Sequence, residues 1–321
     1  MTSDLLTAAD YRQSVVAVPP VAITSAQAIS AEENRRIIDH IVSGGISTML
    51  YGGNANIYHF DERTFRQAIA VIAETCAGRV RLLFSIGPDF GKAMDQIPWV
   101  KDAGLRNIMV LPTQFPSDRR GVAEGVRRIA DRLGFGVVLY VKRDGYVVPE
   151  DLARLVQEGS VAFVKYAVER DRPEADPYLD ALIEAVGKEL VASGMGETPI
   201  HDHIGRRGLA TFTSGAVCIA PAAANELLML YRSGRLEEAR RLSEAFLAFE
   251  RERARLGGIP VLHDAVTISG IADCGPLLPM VSNLDEQGRR AIAPLVEALQ
   301  KAEREARLRS ATTSQTQAPR S

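Results

Sequence analysis

Eight short apolar runs recur along the first two thirds of the chain at intervals of about 25–30 residues, and amphipathic stretches of helical period separate them. The runs are Ser14–Val18, Thr48–Tyr51, Val80–Ser85, Asn107–Leu111, Gly136–Val141, Val161–Tyr166, Leu190–Ser193 and Ala210–Ser214. Between them lie Ala31–Ser43, Asp61–Ala77, Gly91–Ala103, Gly121–Leu133, Pro149–Gln157, Pro177–Val186 and a short turn near His203–Gly208. Strands joined through a helix run parallel, because only parallel neighbours need a crossover of that length. The fold class is therefore α/β. Eight such units close a (β/α)8 TIM barrel, and a doubly wound open sheet is the other arrangement the rhythm allows.

After Pro221 the pattern turns helical: Ala222–Ser233, Leu236–Leu256, Val261–Ile271 and Leu284–Ala306, with Pro294 expected to kink or restart the last helix. This divides the chain into an N-terminal segment (1–12), a barrel core (13–221), a last barrel helix with a C-terminal helical extension (222–306) and a tail (307–321). Arg309–Ser321 contains no large apolar residue, which predicts disorder there. Helix starts carry ordinary signals. Ser30 followed by Glu33 reads as a capping box, and Asp61 as the cap of the next helix.

With 321 residues, 46% of them hydrophobic, the chain can bury a large core. Lys plus Arg (38) nearly balances Asp plus Glu (40), and no basic stripe suggests a nucleic-acid partner. No charged leader precedes an apolar stretch and no segment approaches ~18 uninterrupted apolar residues, so a cytoplasmic protein without membrane contact is expected. Cys76, Cys218 and Cys274 have no paired spacing for zinc or a disulfide framework. Neither a metal nor a cofactor is implied.

Chemistry concentrates at two strand ends. Tyr140 closes the fifth run and Lys165 the sixth. In a closed barrel the carboxyl ends of all strands converge on one face, so the two side chains meet in one mouth. Burial disfavours an ammonium and lowers its pKa; a lysine so treated is a neutral amine, able to form a Schiff base with a ketone. A phenol beside it suits proton relay. Taken alone, a lysine late in an apolar strand is more often a snorkelling rim residue than a nucleophile.

Loops after other strands supply further candidates. Tyr51–His59 (YGGNANIYH) follows the second strand, and its amides can form an anion-binding concavity; it reads equally as a plain turn using Gly and Asn. His59 lies in that loop. Ser193–Glu197 (SGMGE), Thr213 and Ser214 fall at the ends of the last two strands, where small and hydroxyl residues suit substrate contact. His201 and His203 form an H-x-H pair that reads as exposed helix-entry residues rather than metal ligands. His40 and His263 read as structural or solvent-facing.

From about Val16 to Leu299 these residues resemble the dihydrodipicolinate synthase and N-acetylneuraminate lyase family of class I, Schiff-base aldolases. The family's strand-five Y-N-x-P tyrosine matches Tyr140, and its strand-six G-[IV]-K lysine matches Lys165 within VAFVKYA. Its G-T-T-G-E carboxylate loop aligns with Gly52-Gly53-Asn54-Ala55-Asn56, preceded by Ser30-Ala31-Glu32-Glu33 and followed by Phe60-Asp61. Its eighth-strand element resembles Thr213-Ser214 through Pro221, with Cys218 in place of an asparagine, and its C-terminal element resembles Gly270 through Leu277. The resemblance implies a barrel with a helical extension, usually a homotetramer arranged as a dimer of dimers, acting on a small 2-oxo acid. It implies Lys165 and Tyr140 as catalytic, and Gly53, Asn54, Ala55, Thr213 and Ser214 as substrate-binding.

Departures shape the function expected. Gly53 and Asn54 replace both threonines of the carboxylate loop. Val141-Lys142-Arg143-Asp144-Gly145 follows Tyr140 without the family's asparagine and proline, and Leu111-Pro112-Thr113-Gln114-Phe115 stands where the lysine-biosynthesis enzyme carries a tyrosine pair lent between subunits. The expected activity is a Schiff-base lyase of pyruvate-type aldol cleavage or condensation. The alternatives are a hydro-lyase or deaminase on a deoxy-keto sugar acid or hydroxy-pyrroline carboxylate, and a catalytically silent ligand-binding barrel.

Overall fold

The computed structural model describes residues 4–277 and 279–316. Its eight strands are β1 (Val16–Ala17), β2 (Thr48–Tyr51), β3 (Arg81–Ile86), β4 (Ile108–Val110), β5 (Val137–Val141), β6 (Val161–Tyr166), β7 (Val191–Ser193) and β8 (Thr211–Ser214). All pair in parallel, β1 closes against β8, and the sheet is a complete barrel. Every strand end lies within two residues of the sequence expectation.

A short helix α1 (Ala8–Tyr11) precedes β1, and the crossovers are α2 (Ala31–Ser43), α3 (Glu62–Cys76), α4 (Phe90–Asp102), α5 (Arg119–Leu133), α6 (Pro149–Gln157) and α7 (Pro177–Val186). The extension comprises α8 (Pro221–Arg232), α9 (Leu236–Leu256), α10 (Gly258–Ile268) and α11 (Glu286–Thr316). Their apolar faces follow the 3.6-residue period. Ile37, Ile38 and Ile41 of α2 are all fully buried. Tyr11 of α1 stacks on Phe163 of β6 at 3.8 Å between ring centroids, which seats the N-terminal segment against the barrel core.

Register decides which strand residues face the barrel interior, because alternate side chains point to opposite faces. A Cβ on Gly52, just past β2, would meet Ser85 Oγ of β3 at 3.0 Å and Met109 Cε of β4 at 3.1 Å, a contact across three strands that only the inner face permits. Ser85 pairs with Met109, Met109 with Val138, and Val138 with Phe163. Two residues on, Tyr140 pairs with Lys165, and Lys165 with Ala192. Tyr140 and Lys165 therefore face inward, at the carboxyl ends of their strands.

Three local expectations need correction. Only half of the capping box at Ser30 forms: the hydroxyl accepts from the Glu33 amide at 3.3 Å, but the Glu33 carboxylate turns away to accept from the Asp273 amide at 2.7 Å. Asp61 does cap α3, accepting from Thr64 N at 2.8 Å. The tail expected to be disordered instead prolongs α11 to Thr316, through Pro294. Arg309 anchors that stretch with two 2.8 Å bonds to Glu226 of α8, a long-range pairing that composition does not reveal. Residues 317–321 lie outside the described part.

Third, His203 is buried rather than exposed. It lies in a single π-type turn, His201–Arg206, with Nδ1 2.8 Å from Ser193 Oγ and the ring edge-on to Tyr166. Burial lowers its pKa to about 4, so it stays neutral. Behind β6, the Tyr166 hydroxyl donates to Asp176 at 2.7 Å, and Arg170 bridges Asp176 and Asp144. This network pins the outward face of the strand whose inward face carries Lys165.

Candidate active site

Lys165 is only 7% exposed, and its Nζ stands 3.9 Å from the centroid of the Tyr140 ring, over the ring face. No hydrogen-bond acceptor among the described residues engages the amine, so little offsets its desolvation. Burial, then the like charges of Lys142 and Arg253, lower its pKa to about 7. Half of its molecules are free amine near neutral pH, where an exposed lysine is almost wholly ammonium. Burial raises the Tyr140 phenol, so the hydroxyl keeps its proton.

Glycine permits this packing. A Cβ on Gly194, one residue past β7, would fall 2.8 Å from the Tyr166 carbonyl oxygen, 2.8 Å from Ala167 Cβ and 3.0 Å from Lys165 Cγ. Those neighbours are backbone or a buried stem, which cannot swing aside. Gly194→Ala is expected to displace the end of β6, lowering turnover by about 10–100-fold and stability by about 1–3 kcal/mol. Steady-state kinetics and thermal unfolding of the variant check both. Unchanged values would mean that the contact relaxes freely.

The loop after β2 forms two short 3-10 turns, Gly53–Ala55 and Ile57–His59, hinged on Asn56 at φ 56°. The amides of Ala55 and Asn56 are spent on the carbonyls of Gly52 and Gly53. Those of Gly53 and Asn54, at the start of the turn, have no partner among the described residues. They are the donors this loop offers an anion. The Asn54 side chain is already engaged, its Nδ2 donating to Val18 O at 2.9 Å and its Oδ1 accepting from Arg253 at 3.4 Å.

Of the two hydroxyls on β8, Thr213 shares the inward face with Thr211, whose partner across the sheet is Ala192. Ser214 alternates outward. Its Oγ donates to Glu197 Oε1 at 2.6 Å and accepts from the Val217 amide at 3.0 Å, which leaves it no proton to donate to a substrate. His59 is exposed and lines, with Asn56 and His263, a side cavity of about 300 Å³.

Two charged residues here, Glu250 and Arg253, lie beyond the sequence reading of the site, and both neighbour Glu197 of the SGMGE segment. Arg253 and Glu250 of α9 form a 2.7 Å ion pair with side chains only 11% and 10% exposed. Glu197 is fully buried, and its second oxygen has no hydrogen-bond partner among the described residues. Burial, then the neighbouring Glu250, holds its pKa above the usual carboxylate range. In the sequence, Glu250 and Arg253 belong to the run ERERARL, which looks like any solvated helix face.

No family model matches the chain. Curated relatives nevertheless span it. It is 24% identical over 307 residues to a probable 5-dehydro-4-deoxyglucarate dehydratase of Rhizobium meliloti, covering 88% of this chain and 95% of the relative. A 4-hydroxy-tetrahydrodipicolinate synthase of Mycolicibacterium paratuberculosis is 24% identical over 264 residues, 78% of this chain and 83% of the relative. Among solved structures, dihydrodipicolinate synthase from Bacillus clausii superimposes with a TM-score of 0.80 at 20% identity, covering 91% of this chain and 98% of that one. Over most of its length the chain is similar to members of the dihydrodipicolinate synthase family, at 20–24% identity.

The family's barrel is present in full, closed and with its C-terminal helices. No helix among the described residues is long and apolar enough to cross a membrane.

Proposed function

We propose that Lys165 is the Schiff-base nucleophile and that the substrate is a 2-oxo acid. The observation that carries this reading is a buried amine, lowered to a pKa of about 7 and held over the Tyr140 ring. The free amine adds to the ketone carbon, giving a carbinolamine. Loss of water then leaves a protonated imine. Tyr140 passes the protons these steps require, and the protonated imine accepts the electrons of a bond that the neighbouring carbon makes to its own substituent. Either that carbon's bond to the next one breaks, as in aldol cleavage releasing pyruvate, or a proton leaves to give an enamine that expels a β-hydroxyl. The substrate carboxylate rests against the amides of Gly53 and Asn54 with the Thr213 hydroxyl opposite; Ala55 and Ser214 help shape that pocket without donating to it.

The dehydratase names among the relatives favour the second outcome, loss of water from a deoxy-keto sugar acid, as the alternative to aldol chemistry. Pyruvate release separates the two. We further propose a homotetramer working in the cytoplasm, to be checked by sedimentation and by fractionation.

Borohydride reduction in the presence of pyruvate tests the core of the reading. A single adduct is expected, on the peptide carrying Lys165, with a yield that rises as pH increases through about 7 and then levels, because only the neutral amine attacks. Lys142, exposed and two residues beyond Tyr140, is the internal control. Labelling of Lys142 instead would move the nucleophile. Absence of any adduct across a broad set of 2-oxo acids would favour the silent barrel.

A further inference from the structure

Arg253 reaches the barrel mouth from outside the barrel. It stands near the carboxyl end of α9, and its guanidinium wedges between the loop after β2 and the end of β8. Nη2 donates to Asn54 Oδ1 at 3.4 Å, while a Cβ on Gly215, which follows β8, would stand 3.1 Å from both Arg253 Nη1 and Asn54 Nδ2. The Gly258 carbonyl accepts from Nε at 3.3 Å and Nη2 at 3.2 Å, and Glu250 Oε1 accepts from Nη1 at 2.7 Å. These bonds occupy four of the five N–H donors of a guanidinium. The remaining one, on Nη1, has no partner among the described residues.

Beyond the two free amides, the first turn of the loop beside it offers an anion no side-chain donor. The loop has glycine at position 53, and the Asn54 side-chain amide is committed to Val18. Two backbone amides and one hydroxyl prefer a carboxylate over a neutral carbonyl only through the charge of the acceptor. A desolvated cation discriminates more strongly, because in its hydrogen bond to a carboxylate both partners are ionised, whereas a neutral carbonyl offers it only a dipole. Glu250 holds the guanidinium in place and tempers its charge; Glu197, which could compete for it, spends one oxygen on Ser214.

Resting on the Schiff-base reading above, we infer that Arg253 is the residue that selects a carboxylate in the substrate, binding it through the free Nη1 N–H beside the amides of Gly53 and Asn54. The neighbouring ion pair makes the selectivity adjustable. Removing Glu250's charge strengthens it, and removing Arg253's abolishes it. The same cation also disfavours the ammonium form of Lys165, adding to the larger effects of burial and Lys142, so carboxylate selection and amine activation are linked.

The test compares half-saturating concentrations of pyruvate and of pyruvamide, its neutral isostere, for borohydride-trapped adduct on Lys165. Arg253→Met is expected to raise the pyruvate value by about 10–100-fold, the range of a charge-assisted hydrogen bond, and the pyruvamide value by far less. Arg253→Lys retains most of the preference, and Glu250→Gln sharpens it. The pH midpoint of trapping moves upward in Arg253→Met and stays in place in Arg253→Lys. Equal losses on both ketones, or a Glu250→Gln variant with no gain for pyruvate, would overturn the inference. Should Arg253→Met fail to fold, the opposite effects expected of Arg253→Lys and Glu250→Gln still decide. If the wild-type protein traps neither ketone, the Schiff-base reading fails by itself, and calorimetric titration of the same two ligands decides the role of Arg253.

Discussion

Lys165→Met is expected to abolish turnover and to make the protein more stable. Activity should fall by at least about four orders of magnitude, because no second amine replaces a covalent nucleophile and members of one catalytic unit do not substitute for each other. The stability gain has a separate origin. An unfolded lysine titrates near 10.5, whereas the folded one titrates at about 7. Between those values the unfolded chain binds the extra proton, so stability rises with pH across that window. At neutral pH and below, the full cost is present, on the order of a few kcal/mol. Methionine has a similar length and no charge, and removes that cost. Calorimetric unfolding at pH 7 and pH 10 checks the account: the two proteins should differ most at pH 7 and converge by pH 10. A variant less stable than wild type at pH 7 would mean that the amine is held by interactions other than those described.

Much of the fold was legible because a parallel barrel repeats one local pattern. Each strand is apolar on both faces and each crossover is amphipathic, so runs such as Val161–Tyr166 and Pro149–Gln157 could be bounded from their own residues. Tyr140 and Lys165 were legible for the same reason: a charged or phenolic residue inside such a run contradicts it, and the barrel closes all the strand ends onto one face. What stayed hidden depends on partners remote in sequence. Glu33 had a near amide to cap and found a better one at Asp273. Asn54 looked free until Val18 and Arg253 were brought beside it. Ser214 and Thr213 looked equivalent, and only alternation across β8, with Glu197 behind it, separates them. His203 could not be placed without knowing that Ser193 lies 2.8 Å away.

Arg253 illustrates the limit most clearly. Its i,i+3 neighbour Glu250 makes the pair look like a surface salt bridge, one worth little to stability. Nothing local signals that α9 folds back over the mouth. In this chain, Tyr140 and Lys165 come from the part that repeats and the charge beside them from the part that does not.

Tyr140→Phe isolates the phenol hydroxyl from everything else the ring does. The aromatic face 3.9 Å beneath Lys165 Nζ remains, so the amine keeps its platform, its burial and its lowered pKa. Only the proton relay is lost. Burial raises the Tyr140 pKa, so at neutral pH the group enters the reaction as a neutral phenol and serves as donor and acceptor in turn. Removing a positioned acid–base group slows turnover by a factor on the order of 10²–10⁴. The variant should still yield the Lys165 adduct with pyruvate under borohydride, but more slowly, with its pH midpoint unmoved near 7. That combination is specific. A fall in turnover together with an upward shift of the midpoint would mean that the ring had moved and the amine had become hydrated. Full activity would make Tyr140 a wall of the cavity and would assign the proton transfers to another group, with Tyr58 the first to examine, because its hydroxyl lies 3.8 Å from the Cβ position of Gly53.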